Sequence, residues 1–268
     1  MEIGKDYRYN TDIIGKTKVH SLDSNYKINI KTSVTYKGKD PDLDYHIFEI
    51  TETDYHLEMY EDPLIVQITE MTNKVCSIYS TLEVGINKKG EIARIYNGDM
   101  IRDKWKGVKE WLTNAHPIEA YEIIRAKEYE LTNEEMEIKS IRYIHFLYQF
   151  FYIFGKEPMD EGSRSYLRRE DMDRFGAGIV IPVNLSVSEK NTEHGTDEWK
   201  VEGKMIRDEK MIRRLREFAK DNFMHPEYLV KGKYLYDDRI LLKSDFIITE
   251  KLGEFFYYHC FMDTQLEL

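Results

Sequence analysis

The sequence predicts an α+β protein: antiparallel β-sheets in two strand-rich halves, packed with helices around a central buried helix. Three observations predict it. Segments that alternate apolar and polar residues lie toward both ends of the chain. Segments with helical spacing of apolar residues fall between them. The most apolar and aromatic stretch, Glu134 to Phe154 (EEMEIKSIRYIHFLYQFFYIF), sits near the middle of an otherwise polar chain of 268 residues.

Tyr7 to His20 is rich in β-formers and reads as a first strand. Tyr26 to Tyr36 alternates clearly, and Lys37 to Asp44 (KGKDPDLD) is turn chemistry. Tyr45 to Tyr60 returns as the second arm of a hairpin. Asp62-Pro63 opens a helix, with Asp as cap and Pro at the first helical position, running to about Tyr79. Leu82 to Tyr96 folds as a hairpin around Lys88-Lys89-Gly90, where Gly supplies the positive φ of a tight turn. Asp99 caps a helix broken by His116-Pro117, and Ile118 to Leu131 forms the next. Thr132 and Glu135 read as a capping box for the central helix, which Gly155 ends. Ile179 to Val187 and Glu198 to Met205 are strands, Arg207 to Phe223 is an amphipathic helix, and three strands follow at 228–236, 240–249 and 253–262.

This divides the chain into an N-terminal strand-rich half (1–97), a helical bridging segment (98–155), an irregular linker (156–178) and a C-terminal strand-rich half (179–268). The linker has four Arg and six acidic residues with no apolar period, so it reads as loop with one helical turn near Leu167. Hairpin, helix and further strands recur in the same order in both halves. The match is of pattern only, without residue identity.

Hydrophobic residues make up 41% of the chain, charged residues 33%, and there are only 6 Pro, which argues against long disorder. Twenty Tyr suit half-buried strand faces and interfaces, having an apolar body and a polar tip. The net charge of −10 disfavours nucleic acid and favours a basic protein partner. Two cysteines, Cys76 on a helix and Cys260 in a strand, make neither a disulfide framework nor a zinc set; reduced thiols are expected. The N-terminus MEIGKDYRYN lacks the apolar core of a signal peptide, and no segment reaches the ~20 apolar residues of a membrane span. A soluble, cytoplasmic protein is expected.

No motif carries chemistry. Asp40, Asp42 and Asp44 alternate as calcium ligands do, but Tyr45 stands where the loop requires Gly and Thr51 where it requires Glu. His259 and Cys260 are strand neighbours, so they point to opposite faces and cannot work as a pair. Phosphate-binding, nucleophile-elbow and H-E-x-x-H signatures do not occur. Arg164, Arg168, Arg169 and Arg174, and the basic residues of 207–216, are interleaved with acids, as on a solvated face. No catalytic residue, metal or cofactor is predicted.

The central helix carries the best polar cluster. Arg142, His145 and Gln149 are spaced three and four apart and form one stripe on a continuous helix, flanked by Tyr143 and Tyr148. These five are the candidate ligand or partner residues. The leading expectation is a non-enzymatic intracellular binding protein acting through protein–protein interaction, of adaptor or toxin-neutralising type. The alternative is a small-molecule or lipid binder using an apolar cleft between sheet and central helix.

Overall fold

The structure is a computed structural model, and it describes residues 1–59, 63–118, 120–154, 164–191, 196–221 and 223–267. Among these residues there are eleven strands: β1 (Asp6–Val19), β2 (Leu22–Lys39), β3 (His46–Met59), β4 (Thr81–Ile86), β5 (Ile92–Ile95), β6 (Arg164–Met172), β7 (Val180–Asn191), β8 (Asp197–Met205), β9 (Pro226–Asp237), β10 (Ile240–Leu252) and β11 (Phe256–Leu266). They form a single antiparallel sheet in the order β5-β4-β3-β2-β1-β11-β10-β9-β8-β7-β6. The expected α+β arrangement of two sheets around a central helix is therefore corrected: the fold is largely β. Alternation reveals which face each side chain takes. It does not reveal that β1 neighbours β11, and that pairing merges the two strand-rich halves into one sheet.

Among the described residues six α-helices complete the fold: α1 (Pro63–Cys76), α2 (Gly98–Ala115), α3 (Ala120–Leu131), α4 (Glu134–Ile141), α5 (His145–Phe150) and α6 (Glu209–Ala219). The expected caps at Asp62 and Gly155 lie outside the described residues. The central helix is not continuous. It stops at Ile141, turns through Arg142–Ile144, and restarts as the short α5. Ile144 is the break, with φ −58° and ψ 125°. The stretch is rich in β-branched and aromatic residues, which lose side-chain freedom in a helix, so its helical preference is weak. Asn133, not Thr132, caps α4: its side chain accepts the N–H groups of Glu135 and Met136. Thr132 instead donates its hydroxyl to the Tyr129 carbonyl at 2.7 Å.

Two compact units can be described. The first holds residues 1–9, 30–55 and 62–156. Its core is aromatic. Tyr9 packs on Phe146 and Phe150, and Phe48 on Phe151 and Phe154, with ring centroids 5.2–5.9 Å apart. Gly90, in the β4–β5 turn at φ +78°, lies so close to the Phe154 carbonyl that a Cβ there would overlap it. The second unit holds residues 10–29, 56–61 and 157–268. Its strands turn Val183, Leu185, Val201, Val230, Phe246 and Ile248 inward. Helix α6, capped by Asp208, buries Met211, Ile212, Leu215 and Ala219 and packs on β10.

The irregular linker expected at 156–178 contains a strand. Residues 155–163 lie outside the described residues, but Arg164–Met172 pairs with β7 along its length. The helical turn expected near Leu167 is absent there. This strand ends the sheet, and edge strands carry charge where central strands carry apolar residues. That is why RSYLRREDM shows no apolar period.

Candidate functional site

The five candidates of the central segment are only partly brought together. The break at Arg142–Ile144 dissolves the stripe, because the spacing of Arg142, His145 and Gln149 no longer runs along one helix. Arg142 is half-buried, and its guanidinium donates through Nε and Nη2 to the Ile92 carbonyl at 3.3 and 2.8 Å. Glu134 accepts the Ile95 N–H at 3.3 Å. Both side chains therefore cover β5, the other edge of the sheet. His145 is half-buried at the start of α5, and Gln149 is enclosed at 1% exposure. Tyr143 lies 5.9 Å from Tyr148, which is buried and 5.1 Å from Tyr152.

The other singled-out residues have structural partners. Asp40 accepts the N–H groups of Asp42 and Leu43, closing its own turn, and receives the Tyr96 hydroxyl. Asp44 is bridged by Lys88 at 2.8 Å and Lys39 at 3.1 Å, and these contacts lower its carboxyl to about 2. His259 shares a hydrogen bond with Thr249, 3.0 Å away, while Cys260 faces inward and is fully buried. Burial pushes the Cys260 thiol up to about 11, the opposite of an activated nucleophile. Among the described residues no group of three or more His, Cys, Asp or Glu is disposed to hold a metal.

The densest polar chemistry lies in the second unit. Glu250 on β10 stands opposite Tyr228 on β9 and Tyr258 on β11, so all three share the inward face. After β6 the chain turns through Asp173–Ile179. Asp173 fastens this loop by accepting the N–H groups of Phe175, Ala177 and Ile179 at 2.7–3.1 Å. Within the loop, the Arg174 N–H donates to Glu250 Oε2 at 2.7 Å, and Arg174 Nη2 reaches the Tyr228 hydroxyl at 3.5 Å. That hydroxyl donates to Asp171, whose other oxygen lies 3.5 Å from Arg169. Glu250 is 0% exposed, and among the described residues its Oε1 has no hydrogen-bond partner. Burial pushes its carboxyl up to about 8; the Arg174 N–H opposes the rise and the charge of Asp173 adds to it. At neutral pH the group holds a proton inside the sheet. Tyr26 reaches Tyr258 and Cys260 from β2 by lying over Gly15, where a side chain would collide with its ring.

Beside this cluster is an aromatic patch that sequence reasoning missed. Buried Phe256 is the hub. Phe175 packs on it at 5.4 Å, Phe218 at 5.3 Å and His20 at 4.8 Å. The β1–β2 and β10–β11 turns are tied by the His20 N–H donating to the Phe255 carbonyl at 2.7 Å. Phe255, next to the hub in the chain, is 53% exposed, and Phe223, just past α6, is 89% exposed. The available signal was two aromatics at turn positions, in DNFMHP and LGEFF, where polar residues are usual.

No family model and no curated protein matches the chain. Among solved structures, the chain is similar to one described as "Lipid-protein interactions in lipovitellin", at 10% identity and a TM-score of 0.52. The match covers 100% of this chain and 25% of the other, so the chain spans about a quarter of that protein's length. At this identity the likeness bears on the fold alone.

Proposed function

We propose that this chain is a non-enzymatic binding protein that docks a protein partner through the patch around Phe256. The observation that carries the reading is the exposure of Phe255, Phe223 and Phe218, the last packed on Phe256. Leaving a Phe ring in water forgoes about 2 kcal/mol of burial, and an aromatic cluster exposed on a surface marks an interaction site. The net charge of −10 supports a basic partner steered by charge. The free thiols Cys76 and Cys260 support a reducing, cytoplasmic setting. The test compares wild type with the F223S/F255S double variant as bait. Both side chains are exposed, so far-ultraviolet circular dichroism should be unchanged. A stoichiometric partner held by wild type should bind the variant at least tenfold more weakly, as for buried aromatic anchors. Equal retention by the variant would remove the patch from the account.

A second reading, an amphipathic or lipid ligand bound against the apolar sheet face, is supported by the likeness to lipovitellin, whose printed title concerns lipid–protein interactions. Native mass spectrometry of the purified protein tests it: a retained small molecule supports this reading, and a bare chain mass counts against it.

A further inference from the structure

The outer face of the second unit's sheet carries an uneven charge. On β8 and β9 the side chains of Trp199, Val201, Val230 and Tyr234 are buried on the inward face. Alternation turns Lys200, Lys204, Lys231 and Lys233 to the other face, where all four are exposed. The register sets Lys200 directly opposite Lys233, and like charges so placed weaken a sheet. The carboxylates on this face are held by other cations: Glu198 by Lys200 at 2.9 Å, Glu202 by Lys204 at 3.4 Å and Asp245 by Lys243 at 3.6 Å. Lys231 stands opposite Glu202 and Lys233 opposite Asp245, yet neither lysine makes an ion pair among the described residues. Beside them on β7, Ser188 lies opposite Lys200 and Asn184 opposite Lys204. On β6, exposed Arg168 opposite Asn184 and Glu170 two residues on mark the margin.

We propose that this lysine face of β8 and β9 docks a short, acidic protein segment in extended conformation. Charge complementarity selects the sign of the partner. Spacing selects its form. Lys231 and Lys233 are two residues apart on one strand, a separation of about 6–7 Å, and an extended segment offers carboxylates on one side with the same repeat. A carboxylate seated between Lys200 and Lys233 turns their repulsion into a bridge, with the Ser188 hydroxyl in the same row to donate to it. The net charge of −10 limits how long the anion can be. At physiological salt fields are screened beyond ~8 Å, so a short segment meets only the local lysines. A long nucleic acid or an anionic membrane surface also meets the acidic remainder of the protein and is repelled by it. Phe256 belongs to the inward face, so this surface is separate from the aromatic patch and takes a partner of opposite charge.

The test is fluorescence anisotropy on the full chain with a labelled peptide that alternates Glu and Thr. Wild type should bind it, and more weakly as salt rises. K231E/K233E should bind about tenfold more weakly or worse. K231Q/K233Q removes the charges without creating new like-charge pairs; it should weaken binding severalfold, and it carries the test if the reversal disturbs the sheet. R213E/R214E reverses the same amount of charge on the exposed side of α6 and should bind as wild type does, as should F223S/F255S. A peptide of equal charge with Glu at every third residue, out of step with the lysines, should bind more weakly. The proposal is overturned by a wild type that does not bind at roughly 100 μM, by unchanged affinity in both lysine variants, or by an equal loss in R213E/R214E. Equal binding of the out-of-step peptide, or tighter binding of single-stranded DNA or phosphatidylserine vesicles, would overturn it as well.

Discussion

Glu250 shows how a single residue records its surroundings. A carboxyl at 0% exposure, with one oxygen on the Arg174 N–H, is held neutral because ionising it without water is costly. Its folded value of about 8 lies above the ordinary 4.5, so the folded state holds the proton more tightly than the unfolded state. Its contribution to stability is full below about 4.5 and is lost as pH rises through about 8. At ~1.4 kcal/mol per pKa unit, the loss amounts to a few kcal/mol. Glu250→Gln keeps the shape and removes the proton, so the variant should be more stable than wild type at pH 9, with the difference shrinking or reversing toward pH 6. Urea unfolding at the two pH values measures it; parallel pH profiles for the two proteins would show that Glu250 does not carry the effect. The strand expected at 240–249 stops one residue short of Glu250, although its alternation, carried on through β10, puts Glu250 in line with Phe246, Ile248 and Leu252. Its environment was not legible, because Arg174 is 76 residues away in the chain and no local pattern joins them.

At the scale of elements, individual strands and helices were largely legible because period and turn chemistry are local. The strands from β1 to β5 and from β7 to β11 fall on segments whose alternation or β-former content reads as strand, and α2, α3 and α6 on segments of helical spacing. Two elements escaped. Strand β6 lacks an apolar period because it is an edge. The α4–α5 break escaped because Ile144 departs from helical geometry while its neighbours keep an apolar face. Its position coincides with a tertiary contact, Arg142 on the Ile92 carbonyl. This contact gives Arg142 a structural role. Arg142→Ala should cost about 1–3 kcal/mol, the range for a hydrogen bond from a charged donor whose partner is left part-buried. Glu134→Ala should speed hydrogen exchange at the Ile95 amide, which donates to it. Exchange at Ile95 unchanged in that variant would mean that β5 is held without its side-chain cover.

For the whole molecule, the strand order describes a route. The chain leaves β1, steps outward strand by strand to β5, passes through α2 to α5, resumes at the opposite edge with β6, and steps inward to β11 beside β1. Both runs of strands are local meanders, but the seam between them joins residues from opposite ends of the sequence. The buried hydroxyls of Thr11 and Thr264, 2.9 Å apart, mark it at a separation of 253 residues. A contact of that span leaves no local trace, which is why the halves were legible and their union was not. The same topology makes β11 the strand on which the sheet depends. A chain ending at Gly253 leaves β1 and β10 without the strand between them, and removes Phe256, Tyr258, Cys260 and Met262 from the core. At ~1.5–3 kcal/mol per buried side chain that is about 6–12 kcal/mol, comparable to the ~5–15 kcal/mol by which a native domain is stable. The truncated chain should lose its cooperative thermal transition, as followed by circular dichroism and calorimetry. A sharp transition within a few degrees of the full chain would show that the two meanders fold without their seam, and that β11 is an addition to the sheet rather than the strand that unites it.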